Sequence, residues 1–463
     1  MERNLTQGNV LKNLISFALP FLLSYFLQTL YGLADLFIIG QFCETDATTA
    51  VSIGSQVMHM ITVMVVGLAM GTTVLIGRAV GANNRTEVSG VVGNTITLFG
   101  GIALVLTGIL LLLTKPIVTL LSTPEEAVEG TRVYLTVCFA GIPFIVAYNV
   151  ISAIYRGMGD SRRPMHFVAI ACACNVVTDF VLIGVCGMGA AGAALGTTLS
   201  QTVSVLIALG AIRRSRNGIR VNRADWIPKK DMMKSLLKIG VPVSLQDGFI
   251  QVAFMVITVF ANMRGLQDAA AVGIVEKIIG IFFLIPSTMM STVSALSAQN
   301  MGAGRDDRAK QTLFYGCLIC GGFGILVSAA SMFLAEGLTG LFTDDMAVIR
   351  GGGQYLRGYV WDCIFAGVHF CFSGFFCAYG YSLISFLHNC ASILLMRIPI
   401  AYFGSTYFEN TLLPMGIASP AGSALSVGIC VAAYYVIMRK KREVEDGYYN
   451  NFTGSGRNTA YHG

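Results

Sequence analysis

The chain has 463 residues, of which 54% are hydrophobic and only 12% are charged, and its mean hydropathy is +0.68. Soluble domains carry about 25% charged residues, and apolar runs long enough to cross a bilayer recur throughout this chain, which excludes a soluble multidomain protein. The net charge of +6 is concentrated in the predicted loops and does not indicate a surface that binds nucleic acid.

Twelve apolar segments are predicted to span the membrane as helices, so the fold class is an all-α polytopic membrane protein. A basic polar connection at 213–238 separates the sixth segment from the seventh, and a tail rich in Tyr, Asn and Gly at 439–463 is expected to be disordered. In chain order the segments cover about residues 14–39, 51–77, 91–113, 133–154, 168–184, 187–212, 239–262, 272–298, 312–335, 355–379, 385–403 and 415–438.

The first six segments and the last six resemble each other. Each set opens with a proline a few residues into its first helix, at Pro20 and at Pro242. Each also places a Gly-Ala pair and then basic residues after its second helix, in LIGRAVGANNRTEV (75–88) and LSAQNMGAGRDDRAK (296–310). A parallel repeat of six spans implies a pseudo-two-fold axis along the membrane normal. We therefore predict two pseudo-symmetric six-helix bundles, at 1–212 and 239–438, joined by a basic linker at 213–238.

Basic residues collect in alternate connections, on the side where both termini lie, and the opposite connections are richer in acids. The positive-inside rule then places both termini in the cytoplasm. The residues assigned to these basic connections include Arg78, Arg85, Arg156, Arg162, Arg163, Arg305, Arg308 and Lys310.

The fifth segment, VAIACACNVVTDFVLIG (168–184), carries two polar residues near its middle. Asn175 and Asp179 are four residues apart, so they share one face of a helix. A carboxylate at bilayer depth costs about 2.5–3.5 kcal/mol on insertion scales, so it is kept where it faces a water-filled cavity or a partner. We interpret the pair as an ion- or proton-binding site of a transporter. The alternative is a buried hydrogen bond that holds two helices together.

Four motifs together resemble the MATE family, multidrug and toxic compound extrusion, in its bacterial form. They are QTLYGLADLFIIGQF (28–42), YRGMGDSRRPM (155–165), the Asn175 and Asp179 pair, and SAQNMGAGRDDRA (297–309). The resemblance extends over about residues 5–440. It implies two bundles arranged as a V in the bacterial cytoplasmic membrane. It also implies export of amphipathic organic cations, coupled to the entry of Na⁺ or H⁺ by alternating access.

The resemblance also implies roles for individual residues. Asp35 matches the acidic position of the first-helix motif, and Asn175 and Asp179 match a polar pair on the fifth helix. Thr197 or Thr198 matches a sixth-helix hydroxyl that joins the cation site in some members. Oxygen ligands suit a hard cation and a protonated carboxyl group equally, so these residues leave Na⁺ and H⁺ as open alternatives.

A possible substrate cavity is assigned to Gln28, Asp247, Gln251 and Asp362. Asp247 and Gln251 are four apart on the predicted seventh helix and share a face. Some family members have a glutamate on this helix, so a second cation site in the C-terminal half stays open. Asp362 has a structural alternative, which is an ion pair with Arg397.

A lipid-linked oligosaccharide flippase of related architecture is the alternative function, although its cavity would need basic residues to hold a pyrophosphate. An enzyme is not indicated, because the chain has no H-E-x-x-H or G-x-S-x-G pattern, and it has no Walker motif for ATP. We expect no cofactor other than the coupling ion and no certain metal site. We also expect a monomer that contacts membrane lipids and small organic cations but not nucleic acid.

Overall fold

The computed structural model describes residues 5–214 and 222–454, with side chains described except at 442 and 444–454. All secondary structure in these ranges is helical. The N-terminal half, residues 5–214, contains α1 (Val10–Phe42), α2 (Thr45–Gly81), α3 (Arg85–Leu120), α4 (Glu125–Ala140), α5 (Ile142–Gly157), α6 (Arg162–Asp179), a π-helical segment (Phe180–Val185) and α7 (Gly189–Arg214).

The C-terminal half begins with a short 3-10 helix, Arg223–Trp226, and continues with nine α-helices and a second π-helical segment. They are α8 (Lys230–Met263), α9 (Leu266–Phe282), α10 (Leu284–Gly302), α11 (Asp306–Gly340), α12 (Met346–Tyr359), α13 (Asp362–Ala378), α14 (Ser382–Ser392), the π-helical Ile393–Arg397, α15 (Ile398–Tyr407) and α16 (Leu413–Gly454).

The helices provide the twelve predicted spans. Within the described ranges, ten helical stretches are long and apolar enough to cross a membrane, and two bent pairs raise the number to twelve if each pair is one span. The bent pairs are α4 with α5, at 49°, and α12 with α13, at 43°. The predicted fold class, an all-α protein of two six-helix bundles, is confirmed.

The two halves share two helix irregularities, a bend and a π-helical turn, that could not be predicted from the sequence. The fourth span of each half is the bent pair, and the fifth span of each half contains the π-helical turn. In the first half the bend falls at Gly141, where a Cβ atom would stand 2.6 Å from the Thr198 Cγ2 atom of α7. Glycine at this position therefore lets α7 pack closely against the bend.

The connection between the halves is shorter than the predicted linker. Residues 215–221 of that linker lie outside the described residues, but α8 already begins at Lys230. The residues before it dock on α3: the Asn94 amide donates to the Asp225 carbonyl at 3.2 Å and accepts from the Lys229 amide at 2.6 Å. This end of the linker is therefore fixed to the N-terminal half.

The last helix also passes the predicted boundary of the tail. α16 continues from Leu413 to Gly454, so residues 439–454 are helical rather than disordered. Residues 455–463 lie outside the described residues.

Small residues join the two halves at the end of the molecule where α1 begins and where α16 carries Lys441, which we call the terminal end. A Cβ atom at Gly71, Gly81 or Gly302 would overlap a backbone carbonyl of the other half. Glycine therefore allows α2 to touch α8 and α10 backbone to backbone. Further from the terminal end, α2 packs on α4 through Gly54, and α8 turns toward its own half through Phe254. Among the glycine contacts between α2 and α8, that of Gly248 with Met64 lies furthest from the terminal end, and we call the region between the halves beyond it the cleft.

Polar contacts reinforce the terminal end. The Arg78 guanidinium donates to the Ala378 carbonyl from Nε at 3.0 Å and from Nη2 at 2.6 Å. The Gln299 amide of the C-terminal half donates to the Gly157 carbonyl of the N-terminal half at 2.9 Å. Lys441 of α16 pairs with Asp306 within the C-terminal half. The cleft is thus closed at the terminal end by contacts between the two halves.

Candidate functional site

Three helices of the N-terminal half bring the predicted coupling residues together. Asp35 comes from α1, Asn175 and Asp179 from α6, and Thr197 from α7. The Asn175 amide donates to Asp179 Oδ2 at 3.3 Å, and the Thr197 hydroxyl donates to Asp35 Oδ2 at 3.3 Å. The Asp35 and Asp179 carboxyl groups are neighbours within electrostatic reach of each other. We call these four residues the acid cluster.

The acid cluster is buried and has spare acceptor atoms. Asp35 is 6% exposed, and Asn175 and Asp179 are fully buried. One side-chain oxygen of each of these three residues, Oδ1, is shielded from water and has no hydrogen-bond partner. Among the described residues, no Lys, Arg or His forms an ion pair with either carboxylate. Two carboxyl groups that share a dry site without a base need a cation or a proton to be stable.

The local structure explains how the site forms. Asn175 and Asp179 occupy the last turn of α6, one helical turn apart, immediately before the π-helical segment. Gly196 of α7 faces them, and a Cβ atom there would overlap Asp179 Oδ1. Because Gly196 has no side chain, α7 approaches close enough to place Thr197 on Asp35. Thr198 points away, toward Gly141. Of the two predicted hydroxyls, the structure therefore brings Thr197 into the site.

The donor atoms of the acid cluster suit a hard cation or a proton. They are two carboxylates, an amide oxygen and a hydroxyl, which are the oxygen ligands that hard cations prefer. Equally, one proton between the two carboxyl groups would make a single hydrogen bond and remove the repulsion of two buried charges. No group of three or more His, Cys, Asp or Glu side chains that could hold a metal ion occurs in the searched part of the chain.

A strip of polar residues runs along α1 from the acid cluster into the cleft. Tyr31, one turn from Asp35, lies within reach of Gln201 and Tyr148. Gln28 follows on the same side of α1 and lies within reach of Tyr148 of α5. The strip continues to Tyr25, which is close to Ser291 of α10 in the other half. The acid cluster is thus connected to the boundary between the halves.

Arg156 stands at the end of this strip, and sequence reasoning missed it. The positive-inside argument placed Arg156 in a loop, but the structure buries it to 5% exposure in the last turn of α5. Its guanidinium carbon lies 5.1 Å from the centre of the Phe21 ring. Such a cation–π contact is worth roughly 0.5–2 kcal/mol, whereas burying an ion costs several kcal/mol. The position of Arg156 within the YRGMGDSRRPM motif (155–165) was the signal available in the sequence.

The predicted cavity residues do not all reach the same surface. Gln28 lies on the strip, and Asp247 faces α2 at Gly67, where its carboxylate occupies the space that a Cβ would need. Gln251 follows one turn later on α8 and is partly exposed. Asp362 is 1% exposed and lies inside the C-terminal half. The structure therefore brings Gln28 and Asp247 to the cleft and does not bring Asp362 there.

Asp362 belongs to a buried charged group of the C-terminal half. Arg397 lies within electrostatic reach of both Asp362 and Glu276. Its Nη2 donates to the Tyr359 hydroxyl at 2.6 Å, and its guanidinium carbon lies 4.7 Å from the centre of the Phe254 ring. Asp362 Oδ1 and Arg397 Nε are buried without hydrogen-bond partners. This half therefore holds two acids beside a permanent base, although Asp362 and Arg397 do not form the close ion pair considered from the sequence.

Comparison with known proteins places this architecture among transporters. A family model described as MatE matches residues 20–181 and again residues 242–403. A probable multidrug resistance protein of Bacillus subtilis, YpnP, is 27% identical over 431 residues, which cover 93% of this chain and 95% of that protein. The multidrug export protein MepA of Staphylococcus aureus is 25% identical over 405 residues, 86% of this chain and 89% of MepA.

One similar solved structure is described as the outward-facing conformation of a multidrug resistance MATE family transporter. It has a TM-score of 0.88 and 23% identity, and the match covers 95% of this chain and 98% of that one. At this identity the likeness shows the fold. The double match of the family model agrees with the repeat predicted from the sequence. The relatives are transporters, so the chain is a transporter and not an enzyme, and they do not favour the flippase alternative.

Proposed function

We propose that this chain, which belongs to the MATE family of multidrug efflux transporters, exports amphipathic organic cations in exchange for Na⁺ or H⁺. The observation that carries the proposal is the acid cluster, which combines two buried carboxyl groups with three unpartnered oxygen atoms and lacks a basic partner. Such a site is stable only while it holds a cation or a proton. Filling and emptying it is therefore the step that we assign to the coupling ion.

In the proposed cycle the halves alternate between a cleft open to one side and a cleft open to the other. Binding of Na⁺ or H⁺ at Asp35 and Asp179 changes the packing of α1, α6 and α7. That change reaches the cleft through Tyr31, Gln28 and Tyr148, because these residues connect the two places. An ion that binds one state more tightly than the other shifts the equilibrium by that difference in affinity.

We further propose that both termini face the cytoplasm of a bacterial cell. The bias of basic residues toward the terminal end supports this orientation through the positive-inside rule. In this orientation the terminal end faces the cytoplasm. Because the halves touch each other at that end, the cleft opens to the opposite side of the membrane, and the described conformation is outward-facing. We also propose that the protein acts as a monomer, because each chain contains both halves that the cycle needs.

Transport in everted membrane vesicles tests the proposal. Ethidium uptake is measured under an imposed pH gradient or an imposed Na⁺ gradient, with native protein and with Asp179→Asn. We expect one of the two gradients to drive uptake by the native protein, and the substitution to lower that uptake about tenfold or more, because typical couplings are worth about 1–3 kcal/mol.

Asp46→Asn is the matched control, since Asp46 is an exposed carboxylate in the first turn of α2. It should transport like the native protein. Full gradient-driven uptake by Asp179→Asn would contradict the coupling role of the acid cluster.

A further inference from the structure

Arg156 is a buried cation that has no anionic partner among the described residues. Within the described part of the chain it forms no ion pair and no hydrogen bond, and its contact with Phe21 is with an uncharged ring. Its guanidinium nitrogens are not among the side-chain atoms that are shielded from solvent and lack a hydrogen-bond partner. The charge is therefore enclosed by protein on most sides, and its nitrogen atoms keep a small contact with solvent. A planar fork of five N–H donors is available there.

The face of α5 that carries Arg156 offers further hydrogen-bond donors. Tyr148, Ser152 and Arg156 are spaced by four residues, so they lie in a row on one side of the helix. The Ser152 hydroxyl is buried beside the Tyr148 side chain, and it makes no hydrogen bond at normal distance and angle. Tyr148 and Tyr25 both lie within electrostatic reach of the Arg156 guanidinium. Buried polar groups are normally satisfied, so a free hydroxyl one turn from a free guanidinium indicates a site for a ligand with acceptor atoms.

The other half contributes the opposite charge. Tyr25 lies within electrostatic reach of Asp247 of α8 as well as of Arg156, so the three residues follow one another across the base of the cleft. Arg156 and Asp247 do not pair with each other at 4 Å or less. A molecule seated at Tyr25 would therefore meet a fixed positive charge on one side and a carboxylate on the other.

We propose that Arg156 binds an anionic group of the transported molecule, so that the preferred substrates are zwitterionic amphiphiles with a carboxylate as well as a cationic centre. The carboxylate accepts hydrogen bonds from the Arg156 guanidinium, in the bidentate geometry that Arg and carboxylates favour, and the Ser152 hydroxyl is within the same row. The cationic centre lies toward Asp247. This inference rests on the proposed function and narrows its substrate class.

The polar strip gives the subsite a connection to the coupling ion. Arg156 and the acid cluster occupy the two ends of the strip along α1, and Tyr148 is within reach of residues at both ends of it. A carboxylate at Arg156 and a cation at Asp35 each neutralise a buried charge. The substrate and the ion therefore act on the same helix without competing for one position.

Equilibrium binding of two dyes tests the inference without a gradient, so its result does not depend on antiport. Rhodamine 110 is a zwitterion with a free carboxylate, and rhodamine 123 is its methyl ester and a simple cation. Fluorescence polarisation is measured with purified full-length protein in detergent. We expect Arg156→Gln to weaken rhodamine 110 binding about 10–100-fold, as for loss of a charged hydrogen bond, and to leave rhodamine 123 binding unchanged.

Two further variants make the result specific. Arg156→Lys keeps the charge and should restore part of the rhodamine 110 affinity, and Arg162→Gln, at an exposed arginine near the same end of the protein, should bind both dyes like the native protein. Retained rhodamine 123 binding shows that Arg156→Gln is folded.

An equal loss of both dyes on Arg156→Gln, or no loss of rhodamine 110, would overturn the inference. Native protein that binds rhodamine 123 but not rhodamine 110 would also overturn it, while leaving the proposed export of organic cations intact.

Discussion

The two halves of the molecule treat buried acids in opposite ways. In the N-terminal half, Asp35 and Asp179 lie side by side with no base, and their spare oxygen atoms have no partner. In the C-terminal half, Asp362 and Glu276 share the permanent charge of Arg397. Asn175 follows Pro20 by the same number of residues as Arg397 follows Pro242. We propose that the first half holds a mobile cation at this place, whereas the second half carries the tethered cation of Arg397.

The difference shows that two halves with the same fold can carry different charged groups and so can serve different roles. Both halves have a bent fourth span and a π-helical turn in the fifth, so the framework is the same. We propose that a single basic side chain, Arg397, is what keeps the interior of the second half from exchanging an ion with its surroundings. On this view the N-terminal half is the coupling half, and the C-terminal half is a fixed body against which it moves.

The largest expected effect comes from giving the first half a base of its own. Asn175→Arg places a guanidinium beside Asp179 and Asp35, where it satisfies both carboxylates permanently. Gradient-driven ethidium uptake in everted vesicles should then fall to the background of vesicles without the protein. Asn175→Gln keeps a neutral amide and is the control, which we expect to retain part of the uptake. Native-like uptake by Asn175→Arg would break the comparison between the halves.

A second prediction removes the base from the other half. Arg397→Gln leaves Asp362 and Glu276 buried without a counter-charge, and loss of one partner from a buried ionic group costs about 3–5 kcal/mol. The midpoint of thermal unfolding in detergent should fall. Adding Asp362→Asn to Arg397→Gln should recover part of the loss, because the double variant buries one charge fewer. A double variant no more stable than the single would show that Arg397 does not compensate Asp362.

The smallest expected effect separates two neighbouring hydroxyls. Thr197→Val removes the 3.3 Å hydrogen bond to Asp35, and such a bond contributes about 0.5–1.5 kcal/mol. The concentration of coupling ion that gives half-maximal uptake should therefore rise roughly two- to tenfold. Thr198→Val is the matched control, because Thr198 faces Gly141 instead. Ser419 follows Pro242 by the same number of residues as Thr197 follows Pro20. Ser419→Ala should leave the ion dependence of uptake unchanged. Equal effects of the two threonine variants would remove Thr197 from the site.

Most of the fold could be predicted from the sequence, because the requirement that drives it is local. A span needs about 20 apolar residues, and the twelve spans of this chain can be counted directly. The bends at Gly141 and after Tyr359 and the two π-helical turns could not be predicted. They depend on how neighbouring helices pack, as the contact of Thr198 with Gly141 illustrates.

The site was predictable where charge conflicted with its surroundings and unpredictable where it did not. Asp35 and Asp179 stand out because a carboxylate within an apolar span demands an explanation. Arg156 does not stand out, because an arginine near the end of a span usually lies in the loop. Its burial depends on tertiary packing, in which Phe21 and Tyr25 of α1 lie close to its guanidinium. Thr197 and Thr198 could not be separated because the rotation of α7 is set by Gly196.

The glycine contacts at the terminal end have an energetic consequence for the working cycle. Backbone atoms touch at Gly71, Gly81 and Gly302, but the same interface buries apolar side chains of both halves, among them Met70, Val74, Ile239 and Val243, so parting the halves costs hydrophobic free energy. The Arg78 donors and the Ala378 carbonyl can be hydrated once they come apart. A monovalent ion crossing a potential of 100 mV releases about 2.3 kcal/mol. The work of opening the interface therefore includes this hydrophobic cost, and one such ion can offset only part of it for each potential of this size that it crosses.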